Sequence, residues 1–145
     1  MVDTVKEVMI TNVLTCDVDD SLQQAARIMR DKRIGCLIVM KSKSPKGILT
    51  ERDITFRATA KNLDSANTKV KDVMSSPLKT ISPDENVYSA SKKMRAEDIK
   101  KLPVVKNGKL VGIITQTDLT NYFADQRKEF ILENLRKSIK AAYPV

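Results

Sequence analysis

Histidine is absent from this sequence, and cysteine is nearly so, with only Cys16 and Cys36. The first absence excludes histidine-based general base catalysis, histidine triads and every zinc site that needs imidazole. Two cysteines cannot close a tetrahedral zinc site within one chain, so they are expected as reduced thiols filling small core positions. No apolar run approaches the ~20 residues that span a bilayer. The opening MVDTVKEVM lacks the apolar segment of a signal peptide, so a cytoplasmic protein with no membrane contact is expected. Aromatic residues make up 4%, too few for an obvious base-stacking platform. With no recognised nucleophile motif either, the residues point away from an enzyme.

What is present is ordinary for a folded chain. Apolar residues make up 41% and charged residues 30% of 145 positions, enough for one globular unit with a real core. The net charge of +8 suggests an anionic partner, either a phosphate-bearing small molecule or nucleic acid. The basic residues are scattered apart from pairs such as Lys92-Lys93 and Lys100-Lys101, and no helix-turn-helix signature accompanies them. Nucleic-acid binding is therefore the less favoured alternative.

The informative feature is a repeat. GILTERD (Gly47–Asp53) returns as GIITQTD (Gly112–Asp118), 65 positions later. The same offset carries VKEVM (Val5–Met9) onto VKDVM (Val70–Met74), and Ala25, Met29, Leu37 and Val39 onto Ala90, Met94, Leu102 and Val104. No gap is needed, which marks an internal duplication.

Each copy reads strand, helix, strand, strand, helix. VLTC and LKTI are the first strands. SPDE (Ser82–Glu85) has the composition of a helix start, with DVDD (Asp17–Asp20) as its weaker counterpart. Leu22, Ala25, Ala26 and Met29 then fall on one helical face. LPVV and LVGII flank Asn107-Gly108, a two-residue hairpin signal. CLIVM and KGIL flank what reads as a longer KSKSP turn. One copy of about fifty residues is marginal alone, whereas two packed together bury a shared apolar surface. The expected architecture is α+β, two βαββα repeats with pseudo-twofold symmetry and two equivalent clefts. The repeats are placed at 1–65 and 66–121, with a C-terminal amphipathic helix at 122–145.

Thr50-x-x-Asp53 and Thr115-x-x-Asp118 can be read as capping boxes with Asp in place of Glu. A helix start behind a strand also offers free N–H groups and a hydroxyl to a phosphate. A carboxylate one turn in suits ribose hydroxyls, as in dinucleotide-binding folds. Recurrence with the whole repeat favours the second reading.

The run VKDVM…PLKTISPDENV…KM…IKKLPVVKNGKLVGIITQTDL resembles a CBS domain, and residues 3–121 resemble a tandem CBS pair, or Bateman module. The resemblance implies a regulatory rather than catalytic module. It would bind an adenine-containing ligand (AMP, ADP, ATP or S-adenosylmethionine) between the repeats, pair into a homodimer and act through a separate effector protein. It also implies Asp53 and Asp118 on ribose, and Thr50 and Thr115 near ribose or phosphate. Leu78, Lys79 and Thr80 would lie near the base in the Asp53 cleft, and Val13, Leu14 and Thr15 in the Asp118 cleft. Lys100 and Lys101 stand where such proteins place phosphate-binding cations; their first-copy counterparts, Gly35 and Cys36, carry no charge. With Arg52 against Thr117, the Asp53 cleft is expected to be the more cationic and to prefer the phosphorylated ligand, the Asp118 cleft being weaker or taking a less anionic one. Arg33 is the one cation that could reach the other cleft. Ile38 replaces the proline of LPVV, a departure from the pattern.

In the C-terminal segment Leu132, Leu135, Ile139 and Ala142 share one helical face. Three readings stay open: packing on its own domain, supporting a dimer or docking a partner, and lying on a membrane surface. Tyr122, Phe123 and Phe130 hold half of the aromatics, so large apolar contacts are expected there.

Overall fold

The computed structural model describes residues 3–142. The first two residues assigned to repeat 1 and the last three of the expected C-terminal helix lie outside them. The chain runs α1 (Val5–Val8), β1 (Thr15–Asp17), α2 (Leu22–Lys32), β2 (Cys36–Lys41), β3 (Ser44–Thr50) and α3 (Glu51–Asp53). A π-helical turn (Ile54–Ala58) and a 3-10 turn (Thr59–Lys61) close the first copy. The second copy holds α4 (Val87–Glu97), β4 (Lys101–Lys106), β5 (Lys109–Thr115) and α5 (Gln116–Ala142).

β1 lies parallel to β2, which pairs antiparallel with β3. β4 and β5 form the matching antiparallel pair, and the first strand of the second copy shrinks to one parallel bridge, Ile81 to Val104. Both hairpins carry a register shift at the same place, between Val39 and Met40 and between Val104 and Val105. The fold is α+β with two βαββα units, as the repeat implies.

Two local expectations are corrected. The helices do not start at DVDD and SPDE. Their caps lie further on, where Ser21 forms a capping box with Gln24 and Asn86 Oδ1 accepts from Ser89 N at 2.9 Å. The carbonyls of Pro83 and Glu85 are committed elsewhere: they accept from Lys6 N and Val5 N at 3.0 and 2.8 Å. Val18 and Asp20 do the same for Lys71 and Val70. The N–H groups that would close a helical turn onto these segments are also bonded elsewhere, Val87 N to Asp3 O at 3.1 Å and Leu22 N to Thr68 O at 2.8 Å. The KSKSP turn is also shorter than expected, because Lys41 pairs with Ser44 just as Lys106 pairs with Lys109. Pro45 sits inside β3.

Those docking bonds reveal how the copies are joined. Val5 packs in the second copy's core with Val87, Ala90, Leu102 and Ile114. Val70 and Val73 pack in the first copy's core with Leu22, Ala25, Leu37 and Leu49. Ile10 bridges Ile113 on β5, and Ser75 bridges Ile48 on β3. Each VKxVM piece therefore completes the other copy, an exchange that obeys the pseudo-twofold.

The final helices differ most. The first copy's unwinds after Asp53 and ends at Asn62 in the left-handed region (φ 53°). The second copy's runs unbroken for 27 residues, about 40 Å. Tyr122 and Phe123 pack against the second core, whereas residues 124–142 are exposed. The tail does not fold back onto its own domain, and Phe130 is solvent-facing. The boundary expected at 121/122 falls within this helix.

Candidate functional site

The repeated phrase ends each hairpin at the start of a helix. Thr50 Oγ accepts from Asp53 N at 3.1 Å, and Asp53 Oδ2 accepts from Thr50 N at 3.0 Å. Thr115 and Asp118 make the same two bonds, at 3.1 and 2.9 Å. Both capping boxes are real, and each engages one carboxylate oxygen. What the other oxygen does separates the two sites.

Asp53 is 7% exposed. Its Oδ1 accepts from Ser75 Oγ at 2.8 Å and has Arg57 Nη1 at 3.7 Å. Ser75 arrives on the exchanged segment that pairs with β3. In the second copy Ile10 takes the place of Ser75 in the ladder, and Tyr122 takes that of Arg57. Asp118 is half-buried, and among the described residues its Oδ1 has no hydrogen-bond partner. The Asp118 carboxylate is thus the one with an oxygen to spare.

Positive charge falls on the other side. Cys36 and Thr50 end a strand pair, and Gly35 O accepts from Glu51 N at 3.1 Å. A β-carbon on Gly35 would stand 3.3 Å from Glu51 Oε1 and 3.4 Å from Lys101 Nζ. Lys101, from the second copy, therefore reaches the helix start that carries Asp53. Glu51 meets it there with a negative charge. In the second copy the counterpart of Glu51 is the neutral Gln116, whose N–H donates to Lys100 O at 2.8 Å. Lys100 itself is exposed.

Other candidate cations have different neighbours. Lys79 is paired with Glu97 at the end of α4. The Arg52 guanidinium lies 5.1 Å from the centre of the Phe56 ring, on the exposed side of the helix. Arg33 is an exposed left-handed cap residue (φ 54°). Leu78, Lys79 and Thr80 belong to the crossover from the β3 edge to the β4 edge. Val13, Leu14 and Thr15 belong to its twin, from the β5 edge to the β2 edge. The crossover that carries each triplet thus leaves from the strand that leads to the aspartate assigned to it. Val13 and Thr15 also line an open cleft of about 740 Å³ that reaches Lys43 and Lys109 at the hairpin turns.

Ser75 and Glu51 are the residues that motif reading passes over. Their signal is present in the offset, where Ser75 faces Ile10 and Glu51 faces Gln116.

Both cysteines are free, with Cys16 buried and Cys36 half-buried. Burial, reinforced by Asp20 and Asp17, pushes the Cys16 thiol up to about 12. Burial raises Cys36 too, with Lys101 pulling the other way. Among the described residues no cluster of His, Cys, Asp or Glu could hold a metal ion. No helix among them is long and apolar enough to cross a membrane.

The sequence pattern of the CBS domain matches residues 5–58 and again 70–125. The chain belongs to the CBS domain family. It is 35% identical over 133 residues to the CBS domain-containing protein YhcV of Bacillus subtilis, covering 91% of this chain and 94% of that one. A solved CBS domain pair in complex with 5′-methylthioadenosine and S-adenosyl-L-methionine superposes with a TM-score of 0.79. It is 26% identical and covers 87% of this chain and 99% of that one. A hexameric CBS-CP12 protein from bloom-forming cyanobacteria superposes at 0.76 with 27% identity, over 98% of this chain and 90% of that one. CBS pairs are in general regulatory, ligand-binding modules.

Proposed function

We propose that this CBS pair is a non-catalytic sensor of an adenosine-containing ligand, held chiefly at the Asp118 cleft, which regulates a separate effector protein. The observation that carries the reading is the unpartnered Oδ1 of Asp118 at the start of α5. A ribose diol needs a carboxylate it can reach with open acceptor sites; Asp53, 7% exposed, already accepts on both oxygens, from Thr50 N and Ser75 Oγ, whereas the half-buried Asp118 accepts on one. Charge favours the Asp53 cleft for a phosphorylated ligand, while the ribose of a less anionic one suits the Asp118 cleft.

The charge pattern then narrows the ligand. Lys101 serves the Asp53 side and is opposed there by Glu51, while the Asp118 side has Gln116. A ligand with little negative charge suits this better than a triphosphate. S-adenosylmethionine and 5′-methylthioadenosine, bound by the structural neighbour, belong to that class, and AMP stands between them and ATP.

Calorimetric titration of the four compounds tests the reading. The nucleosides should bind more tightly than ATP. Asp118→Ala should weaken them ~10–100-fold, the worth of hydrogen bonds to a charged group, whereas Asp53→Ala, checked for folding by its melt, should weaken them less. No binding of any adenosine compound at millimolar concentration overturns the proposal, and a larger loss in the Asp53 variant moves the site to the other cleft.

A further inference from the structure

Beyond Phe123, α5 stands clear of the domain, exposed throughout residues 124–142. A lone helix of that length is marginal in water, where packing rather than propensity holds helices together. Its apolar residues are also not spread evenly. Leu132, Leu135, Ile139 and Ala142 recur at 3-4-3 spacing and define a seam, with Leu132 and Ile139 in one row and Lys128 and Leu135 in the other. Leu135 and Ile139 are 52% and 59% exposed. Among the described residues nothing covers the seam.

The charges beside the seam indicate what covers it. Glu129 and Arg136 occupy the two flanking positions next to the seam on one side, while Ile131 and Ser138 flank the other. Two such helices running antiparallel bring like flanks together, so Glu129 of each copy meets Arg136 of the other. A parallel pair would instead set them against Ser138 and Ile131, and neither charge would find an opposite. Glu133 and Lys137 already pair with each other at 3.4 Å on the outer face.

The antiparallel arrangement also fits the root of the helix. There Phe123, Ala124, Arg127, Lys128, Ile131 and Leu132 line a largely apolar groove of about 480 Å³. In the register that layers Leu132 on Leu135, the tip of the second helix, with Ile139 and Ala142, falls at this groove. Lys128 can run its methylene stem along Ile139 and keep its ammonium in water.

We infer that α5 pairs antiparallel with α5 of a second copy of this chain, through the Leu132–Leu135 seam and reciprocal Glu129–Arg136 contacts. This interface is independent of the ligand reading and is tested on the full chain without nucleotide. Sedimentation equilibrium should show a dimer, and Leu135→Glu should leave a monomer whose thermal melt still shows a folded domain. Glu129→Arg and Arg136→Glu should each weaken dimerisation about tenfold, and the double variant should restore it. Phe130→Ala should change nothing, because Phe130 faces away from the seam. A wild-type monomer at 100-fold the concentrations where such helix pairs associate (on the order of micromolar) overturns the inference. So does a dimer that survives Leu135→Glu, or a double variant no better than the singles.

Discussion

Ser75 Oγ donates to Asp53 Oδ1 at 2.8 Å, and the residue at the same ladder position in the other copy is Ile10. That hydroxyl sets apart the two carboxylates of the repeated phrase. Ser75→Ala should lower stability by about 1–3 kcal/mol, because it strips a buried carboxylate of a donor. Denaturant unfolding measures this. Ile10→Ser should supply the missing donor to Asp118 and weaken nucleoside binding in calorimetry. If ligand affinity is indifferent to Ile10→Ser, the free oxygen does not hold ribose.

The glycines of the phrase are fixed by contact rather than by turn geometry. A β-carbon on Gly47 would lie 2.7 Å from Ser75 O, and one on Gly112 would lie 2.9 Å from Ile10 O. Both carbonyls are held by bridges to the same strand, so they cannot retreat without breaking them. The sulfurs of Met74 and Met9 stand just as close, at 2.7 and 2.5 Å, but those side chains can move. Gly47→Ala and Gly112→Ala should each cost about 1–3 kcal/mol, read by the same unfolding experiment, and should loosen the exchanged segments.

Cys16 gives a pH signature. In the folded protein its thiol keeps its proton up to about 12, against an ordinary value of 9.0. Between those values the unfolded chain holds fewer protons than the folded one, so stability falls as pH rises. Below 9.0 the contribution is fully present. The slope of stability against pH above 9 should be shallower in Cys16→Ala than in wild type, with the difference isolating this thiol from the lysines. Native Cys16 should also resist alkylation at pH 8, while Cys36, half-buried beside Lys101, reacts faster.

Much of this fold was legible as an offset. The gapless spacing carried strand order and hairpins, and it also held the answer on KSKSP, since equal spacing demanded a two-residue turn like Asn107-Gly108. SPDE misled because cap preference is local, whereas the carbonyls of Pro83 and Glu85 were claimed by residues 5 and 6, far away in sequence. The exchange of the VKxVM pieces left no trace in composition, because both copies carry the same apolar pattern and either core accepts it. At the site, the threonines and aspartates stood out by repetition. Ser75 did not, since its role depends on a strand from the opposite copy lying beside it.

The reciprocal docking of Val5 and Val70 also sets a kinetic condition. Neither half can finish its interior until the other half's leading segment arrives, so the last steps of folding must close contacts between positions as distant as 5 and 85. During synthesis the first half emerges before Val70 and Val73 exist to complete it, and it must wait, partly open, for the second. A chain cut between Asn62 and Thr68 would yield two fragments that mature only when mixed.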